Sequence, residues 1–183
     1  MKKILLLALV AFSLPLFAGT LADFGNGLGR AVLSGGSFFS APFETEFVDD
    51  AIAPAPGRVL VVKIPAPKGK HGRFNLAVLI SAEEAAQAKA VAFDVRADNP
   101  SAVSWASHYL FPIPKKDKGH LIAPSGSWAG TKPNEWKHIE LPIDKFRVVN
   151  GEITPAEARQ VYLSFFCVAP VELRFANLKL LDK

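Results

Sequence analysis

Short extended runs, broken by proline or glycine about every eight to fifteen positions, constrain this chain more than any other feature, because segments that short cannot supply helices long enough to form a layer. The chain holds 14 prolines and 13 glycines. Clusters such as Ala53 to Gly57, Pro65 to Gly69 and Asn99 to Pro100 supply turns and block helix propagation. Between them, extended segments are predicted at Thr20 to Phe24, Glu46 to Asp49, Arg58 to Ile64, Phe74 to Ile80, Ala90 to Arg96, Val103 to Phe111, Trp136 to Leu141, Gln160 to Val168 and Val171 to Leu180. Several alternate with period two. Val91, Phe93 and Val95 oppose Ala92, Asp94 and Arg96, and Ile139 and Leu141 oppose His138 and Glu140. One face of each such strand is core and the other is wet. In the 160–168 run, Val161, Leu163 and Phe165 oppose Tyr162, Ser164 and Phe166, so aromatic rings also occupy the nominal outer face. Helix is expected only as short connections. Ser81 to Ala88 carries a capping box through Ser81 and Glu84, and Thr154, Pro155 and Glu157 suggest one further turn.

The amino terminus sets the expected compartment. Met1, Lys2 and Lys3 precede the apolar run Ile4 to Phe12, the layout of a signal peptide, and Pro15 interrupts a stretch too short to span a bilayer. Residues 1–18 are read as the leader, with cleavage after Ala18 or alternatively after Ala22, and residues 19–183 as one domain of a secreted or periplasmic protein. No cysteine near the cleavage region offers a lipid attachment site. Cys167 is the single cysteine, so no intramolecular disulfide forms and stability rests on a core, where Cys167 is expected as a small buried hydrophobe.

Charge narrows the partners. The chain holds 21 basic and 17 acidic side chains, and loss of Lys2 and Lys3 with the leader brings the mature domain close to neutrality. The cluster Lys115, Lys116 and Lys118, with Asp117 among them, reads as a solvated loop, so no nucleic-acid partner is expected. Catalytic signatures are lacking. His71, His108, His120 and His138 show no zinc-ligand spacing, there is no nucleophile elbow or P-loop, and the glycines of Phe24 to Gly29 lack dinucleotide-binding spacing. Asp94 and Glu140 would make a paired-carboxylate centre only if the fold set them about 5–10 Å apart.

Four blocks together carry a resemblance: Leu21-Ala22-Asp23-Phe24, Ala88 to Asn99, Trp136 to Phe146, and the terminal pair VYLSFF and VELRFANLKLL. Their order and spacing resemble the galactose-binding-domain-like jelly rolls, a superfamily that includes many carbohydrate-binding modules and the complex I intermediate-associated proteins. The resemblance implies an all-β, two-sheet antiparallel sandwich; in the Trp136 to Phe146 block, Trp136 caps the start of a strand whose Ile139 and Leu141 enter the core, so a structural role is expected for it. Many relatives hold a structural calcium ion with an acidic residue after the first-strand Phe and an Asp in the last strand. Here those positions read Gly25 and Phe175-Ala176-Asn177-Leu178, so that set of ligands is incomplete; no cofactor is expected, with a structural calcium ion held by carboxylates of Asp23, Glu44, Asp49 and Asp50 as the alternative.

A sugar is held by a flat apolar ring with polar groups beside it. Trp105, Ser107 and Tyr109 share one face of an extended Val103 to Phe111, with His108 on the other. Trp128 lies in the polar loop Pro124 to Thr131, either as a lid over the core or as an exposed platform. Tyr162, Arg96 and His138 complete the candidates. The expected function is non-catalytic binding of a carbohydrate or glycan-bearing surface, with Trp105, Tyr109 or Trp128 stacking on rings while Arg96 and His138 donate to hydroxyls. The alternatives are a glycan-active hydrolase using Asp94 and Glu140, and a protein-interaction module of the complex I intermediate-associated type. No membrane insertion is expected after processing.

Overall fold

β-Branched and aromatic residues fill the intervals between the turns, and each interval becomes a strand. The computed structural model describes residues 20–22, 24, 27–35, 43–54, 57–65, 71–113 and 119–182. The leader, Asp23 and Gly25, and the Lys115–Lys118 cluster lie outside the described residues. The first sheet comprises β1 (Thr20–Ala22), β3 (Glu44–Asp49), β4 (Arg58–Ile64), β6 (Ala90–Ala97), β9 (Lys137–Pro142) and β12 (Val171–Leu181). Its order is β3-β4-β12-β6-β9, with β1 also pairing with β12. The second sheet comprises β2 (Ala31–Ser34), β5 (Gly72–Leu79), β7 (Val103–Phe111), β8 (His120–Ile122), β10 (Arg147–Val149) and β11 (Gln160–Cys167), in the order β10-β8-β7-β11-β5-β2. Every pair of named strands is antiparallel.

The inward positions of both sheets interdigitate. Phe74 of β5, Phe165 of β11 and Phe175 of β12 meet with ring centroids 6.4, 5.6 and 5.3 Å apart, which ties the two sheets together. All three are fully buried, and each burial contributes roughly 1.5–3 kcal/mol. Cys167 is buried as expected, and burial pushes its thiol up to about 12. β12 is the central strand of the first sheet, and strict alternation would turn Leu178 and Leu180 to the face opposite Val171, Leu173 and Phe175. Its register shifts between Ala176 and Lys179, where Asn177 takes a left-handed φ of 51°, so that Val171, Leu173 and Phe175 before the bulge and Leu178 and Leu180 after it all face inward.

The outer face of the first sheet is partly covered. Val59, Val61 and Ala176 form a small second cluster under Val48, Ala53 and Trp136, which explains why β4 is buried on both faces at its centre. Trp136 thereby packs, partly buried, over the outer face of the first sheet. The helix α1 (Ala82–Gln87) forms with the expected capping box between Ser81 and Glu84. Arg30 grips both oxygens of Glu84 at 2.9 and 2.8 Å, which holds the carboxyl down to about 2. The turn Pro155–Glu157 likewise has its capping box through Thr154.

Three strands, β2, β8 and β10, were not expected. They have four, three and three residues, too few positions to display a period. β8 and β10 meet beside Gly119, whose φ of +73° and whose closeness to the Val149 carbonyl, 2.5 Å from an added Cβ, leave room for no side chain.

Candidate functional site

Antiparallel register places the outward side chains of the second sheet in rows. Phe166 stands opposite Trp105 on one side and Arg73 on the other, Ser164 opposite Ser107 and Asn75, Tyr162 opposite Tyr109 and Ala77, and Gln160 opposite Phe111 and Leu79. The rows extend to β8 and β10, where Ile122 faces Tyr109 and Arg147 faces Ile122. On the far side Val32 faces Ala77 and Ser34 faces Asn75.

Two aromatic zones flank a polar floor. At one end the Trp105 and Phe166 rings lie 6.1 Å apart, and the Arg73 guanidinium sits 5.2 Å from the Phe166 centroid. Trp105 is 56% exposed, which makes it a platform rather than a core residue. At the other end Tyr109, Phe111, Tyr162 and His120 form one cluster with centroids 5.2–6.1 Å apart. Between them lie Ser107, Ser164 and Asn75, outward-pointing yet buried by their neighbours. Asn75 Oδ1 accepts from Ser164 Oγ at 2.8 Å and from Arg73 Nε at 3.1 Å. The Asn75 amide N–H groups and the Arg73 terminal nitrogens have no protein acceptor among the described residues. Trp105 and Tyr109 are four residues apart on one strand, a span of about 13 Å, which suits several joined rings rather than one.

The six residues expected from sequence separate into three places. Trp105, Tyr109 and Tyr162 come together on this face. Arg96 and His138 lie on the outer face of the opposite sheet and cannot donate to a ligand stacked on Trp105 or Tyr109, so the expected pairing of stacking rings with these two donors is corrected. Arg96 reaches Asp50 at 3.3 Å, and Arg174 reaches the same carboxylate at 2.9 Å. Burial opposes charge on Asp50, but hydrogen bonds from Arg174 and the Ile52 N–H, with the nearby arginine charges, outweigh it and hold the carboxyl below its usual range. His138 Nδ1 bonds Asp94 Oδ1 at 2.8 Å, while Asn177 donates to Asp94 Oδ2 at 2.6 Å. Both oxygens of Asp94 are thus engaged, and Glu140 stands exposed opposite Ala92, not opposite Asp94.

Trp128 is the lid of its two expected alternatives. Its indole N–H donates to the Pro100 carbonyl at 3.0 Å and its ring meets Phe165 edge-on at 5.7 Å, so it closes one end of the core. Inside the same core His108 contacts Phe93 and Phe165. Its Nε2 lies 3.0 Å from Ser127 Oγ, its Nδ1 has no partner among the described residues, and burial pushes the ring down to about 4.

Arg73, Asn75, Phe111, His120, Ser164 and Phe166 belong to this face without having been named as candidates. The alternation of β11 already carried Ser164 and Phe166 in its signal. Arg73 escaped because the strand was expected to begin at Phe74, whereas β5 starts at Gly72. Among the described residues no group of three or more His, Cys, Asp or Glu is placed to hold a metal, and no helix is long and apolar enough to cross a membrane.

Two packed antiparallel sheets in this order form a β-sandwich of the jelly-roll kind, and several solved structures share it. The chain is similar to the family 11 carbohydrate-binding module of a cellulosomal cellulase of Clostridium thermocellum, with 16% identity and a TM-score of 0.60 over 89% of this chain and 93% of that one. A family 11 carbohydrate-binding module from Clostridium thermocellum, solved in complex with a β-1,3-1,4-mixed-linked tetrasaccharide, matches at 17% identity and a TM-score of 0.58 over 88% of this chain and 93% of that one. A β-1,2-glucanase of Parabacteroides distasonis also matches, at 12% identity and a TM-score of 0.52, over 83% of this chain but 23% of the enzyme. No family model and no curated protein matches the chain.

Proposed function

We propose that this chain is an exported, non-catalytic glycan-binding module whose site is the outer face of the second sheet. The observation that carries the reading is the exposed Trp105 beside Phe166, joined to the Tyr109–Tyr162 cluster by a floor of Ser107, Ser164 and Asn75. Rings of this kind stack on the carbon-hydrogen faces of sugars, and the amide and hydroxyl groups of the floor exchange hydrogen bonds with sugar hydroxyls. The shared fold with carbohydrate-binding modules supports the reading of a binding module, and the basic and apolar run at Met1 to Phe12 supports export. A catalytic role for Asp94 and Glu140 has less support, since the Asp94 carboxylate is consumed by His138 and Asn177 on the other sheet.

The test is binding of the purified mature chain to a glycan array and to insoluble polysaccharides, beside a Trp105→Ala variant checked for folding. Saturable binding that the folded variant loses is the expected result. A failure to bind any glycan would overturn the reading and turn attention to a protein partner.

A further inference from the structure

Carboxylates are divided unequally between the two sheets. Every acidic residue within a strand belongs to the first sheet: Glu44, Glu46 and Asp49 of β3, Asp94 of β6, Glu140 of β9 and Glu172 of β12. The strands of the second sheet contain none, yet they present Arg73 and Arg147 outward.

The two sheets also treat their arginines differently. On the first, Arg96 and Arg174 converge on Asp50, and Arg174 also pairs with Glu172 at 2.8 Å. On the second, no carboxylate among the described residues pairs with Arg73 or Arg147. Arg73 is nevertheless held in place, with Nε donating to Asn75 Oδ1 and Cζ over the Phe166 ring, so its terminal nitrogens keep the fork that suits a two-oxygen acceptor. Arg147 stands at the opposite corner, four strands from Arg73 in the sheet order and about 19 Å away across the strands. The aromatic zones and the polar floor lie between them.

We infer that the ligand of this face is an anionic glycan, a chain whose rings bear carboxylates, which Arg73 and Arg147 engage at opposite ends of the aromatic platform. The inference rests on the glycan-binding reading and deepens it to a substrate class. A neutral chain offers the two guanidinium groups hydroxyl acceptors but no opposite charge, whereas a polyuronate supplies carboxylates for charge-assisted, two-oxygen pairing at intervals along its length. The uncompensated positive field would also draw such a chain in from solution.

The experiment compares binding of polygalacturonate and of alginate with binding of their carboxyl-reduced, neutral forms and of a mixed-linked β-glucan. Each is measured at low salt and at about 1 M salt, where the Debye length falls to about 3 Å. The acidic polymers should bind about ten-fold tighter than their reduced forms at low salt, and the advantage should collapse at high salt. Arg73→Gln and Arg147→Gln should each weaken polygalacturonate binding by about three- to ten-fold with an unchanged thermal midpoint. Equal or tighter binding of the neutral polymers, indifferent to salt and to both substitutions, would overturn the anionic ligand and leave the glycan-binding reading standing. Binding of none of these polymers and of no glycan on the array would overturn both.

Discussion

Trp105 and Phe166 stand opposite each other on neighbouring antiparallel strands, 6.1 Å apart, and both face away from the core. Their partners on the inward side of the same strands are Ala106 and Phe165, in register one residue along. One pair of strands therefore builds core and platform at once, by alternation alone.

This relationship predicts opposite behaviour for two tryptophans. Trp105→Ala removes an exposed ring, so stability should change by no more than about 1 kcal/mol while glycan affinity falls about ten-fold or more. Trp128→Ala removes a ring packed on Phe165 and a hydrogen bond to Pro100. It should cost about 2–4 kcal/mol of stability and leave the affinity of the folded fraction unchanged. Urea denaturation and calorimetric titration of the two variants check both.

His108 makes stability depend on pH in a defined window. The ring is neutral in the folded chain, where burial pushes it from 6.5 down to about 4. The unfolded ring takes up its proton near pH 6.5, so the unfolded state binds more protons below that point. The stabilising contribution is fully present above about pH 6.5, declines as the pH falls, and is exhausted near pH 4, a loss of about 3 kcal/mol. Glu84, held down to about 2 by Arg30, begins to lose its contribution only below its ordinary 4.5. Denaturation midpoints at pH 7, 6 and 5 should therefore fall in wild type and flatten in His108→Gln.

Asp94 is expected to act on folding and not on ligand binding. Its two oxygens hold His138 and the left-handed Asn177, and it is 4% exposed. Asp94→Ala should destabilise by about 1–3 kcal/mol by stranding the Asn177 amide at the β12 bulge. Asp94→Asn and Glu140→Gln should bind glycan as wild type does. A loss of binding in either folded variant would place the site on the first sheet.

Gly119 is expected to resist substitution. Gly119→Ala sets a Cβ 2.5 Å from the Val149 carbonyl at a φ of +73°. The change should cost about 2 kcal/mol or more and disturb the β8–β10 pair that carries His120 and Arg147, as a thermal melt would show.

The architecture was legible where strands are long enough to repeat. In Ala90 to Arg96 three inward and three outward positions display the period, and the observed strand matches it within a residue. β2, β8 and β10 lacked that length, and their pairing is decided by neighbours distant in sequence. The site was legible only in part. Trp105, Tyr109 and Tyr162 could be placed on strands, but Val103 to Phe111 sets Trp105, Tyr109 and Phe111 on one face against Ala106, His108 and Leu110 on the other, either of which could fill a core, and the packing of His108 against Phe93 and Phe165 shows which face is inside. Arg96 and His138 were drawn into the same candidate site because sequence does not reveal which sheet a strand joins. Trp128 had no period to orient it, and its burial comes from a carbonyl 28 residues away.

The most direct measurement follows the side-chain indole N–H resonances of the three tryptophans, Trp105, Trp128 and Trp136, as a bound glycan is titrated in. The Trp105 signal should shift saturably while those of Trp128, held on Pro100, and Trp136, packed over the first sheet, stay in place. A glycan that binds and shifts Trp128 or Trp136 while leaving Trp105 unmoved would contradict the assignment of the outer face of the second sheet as the site.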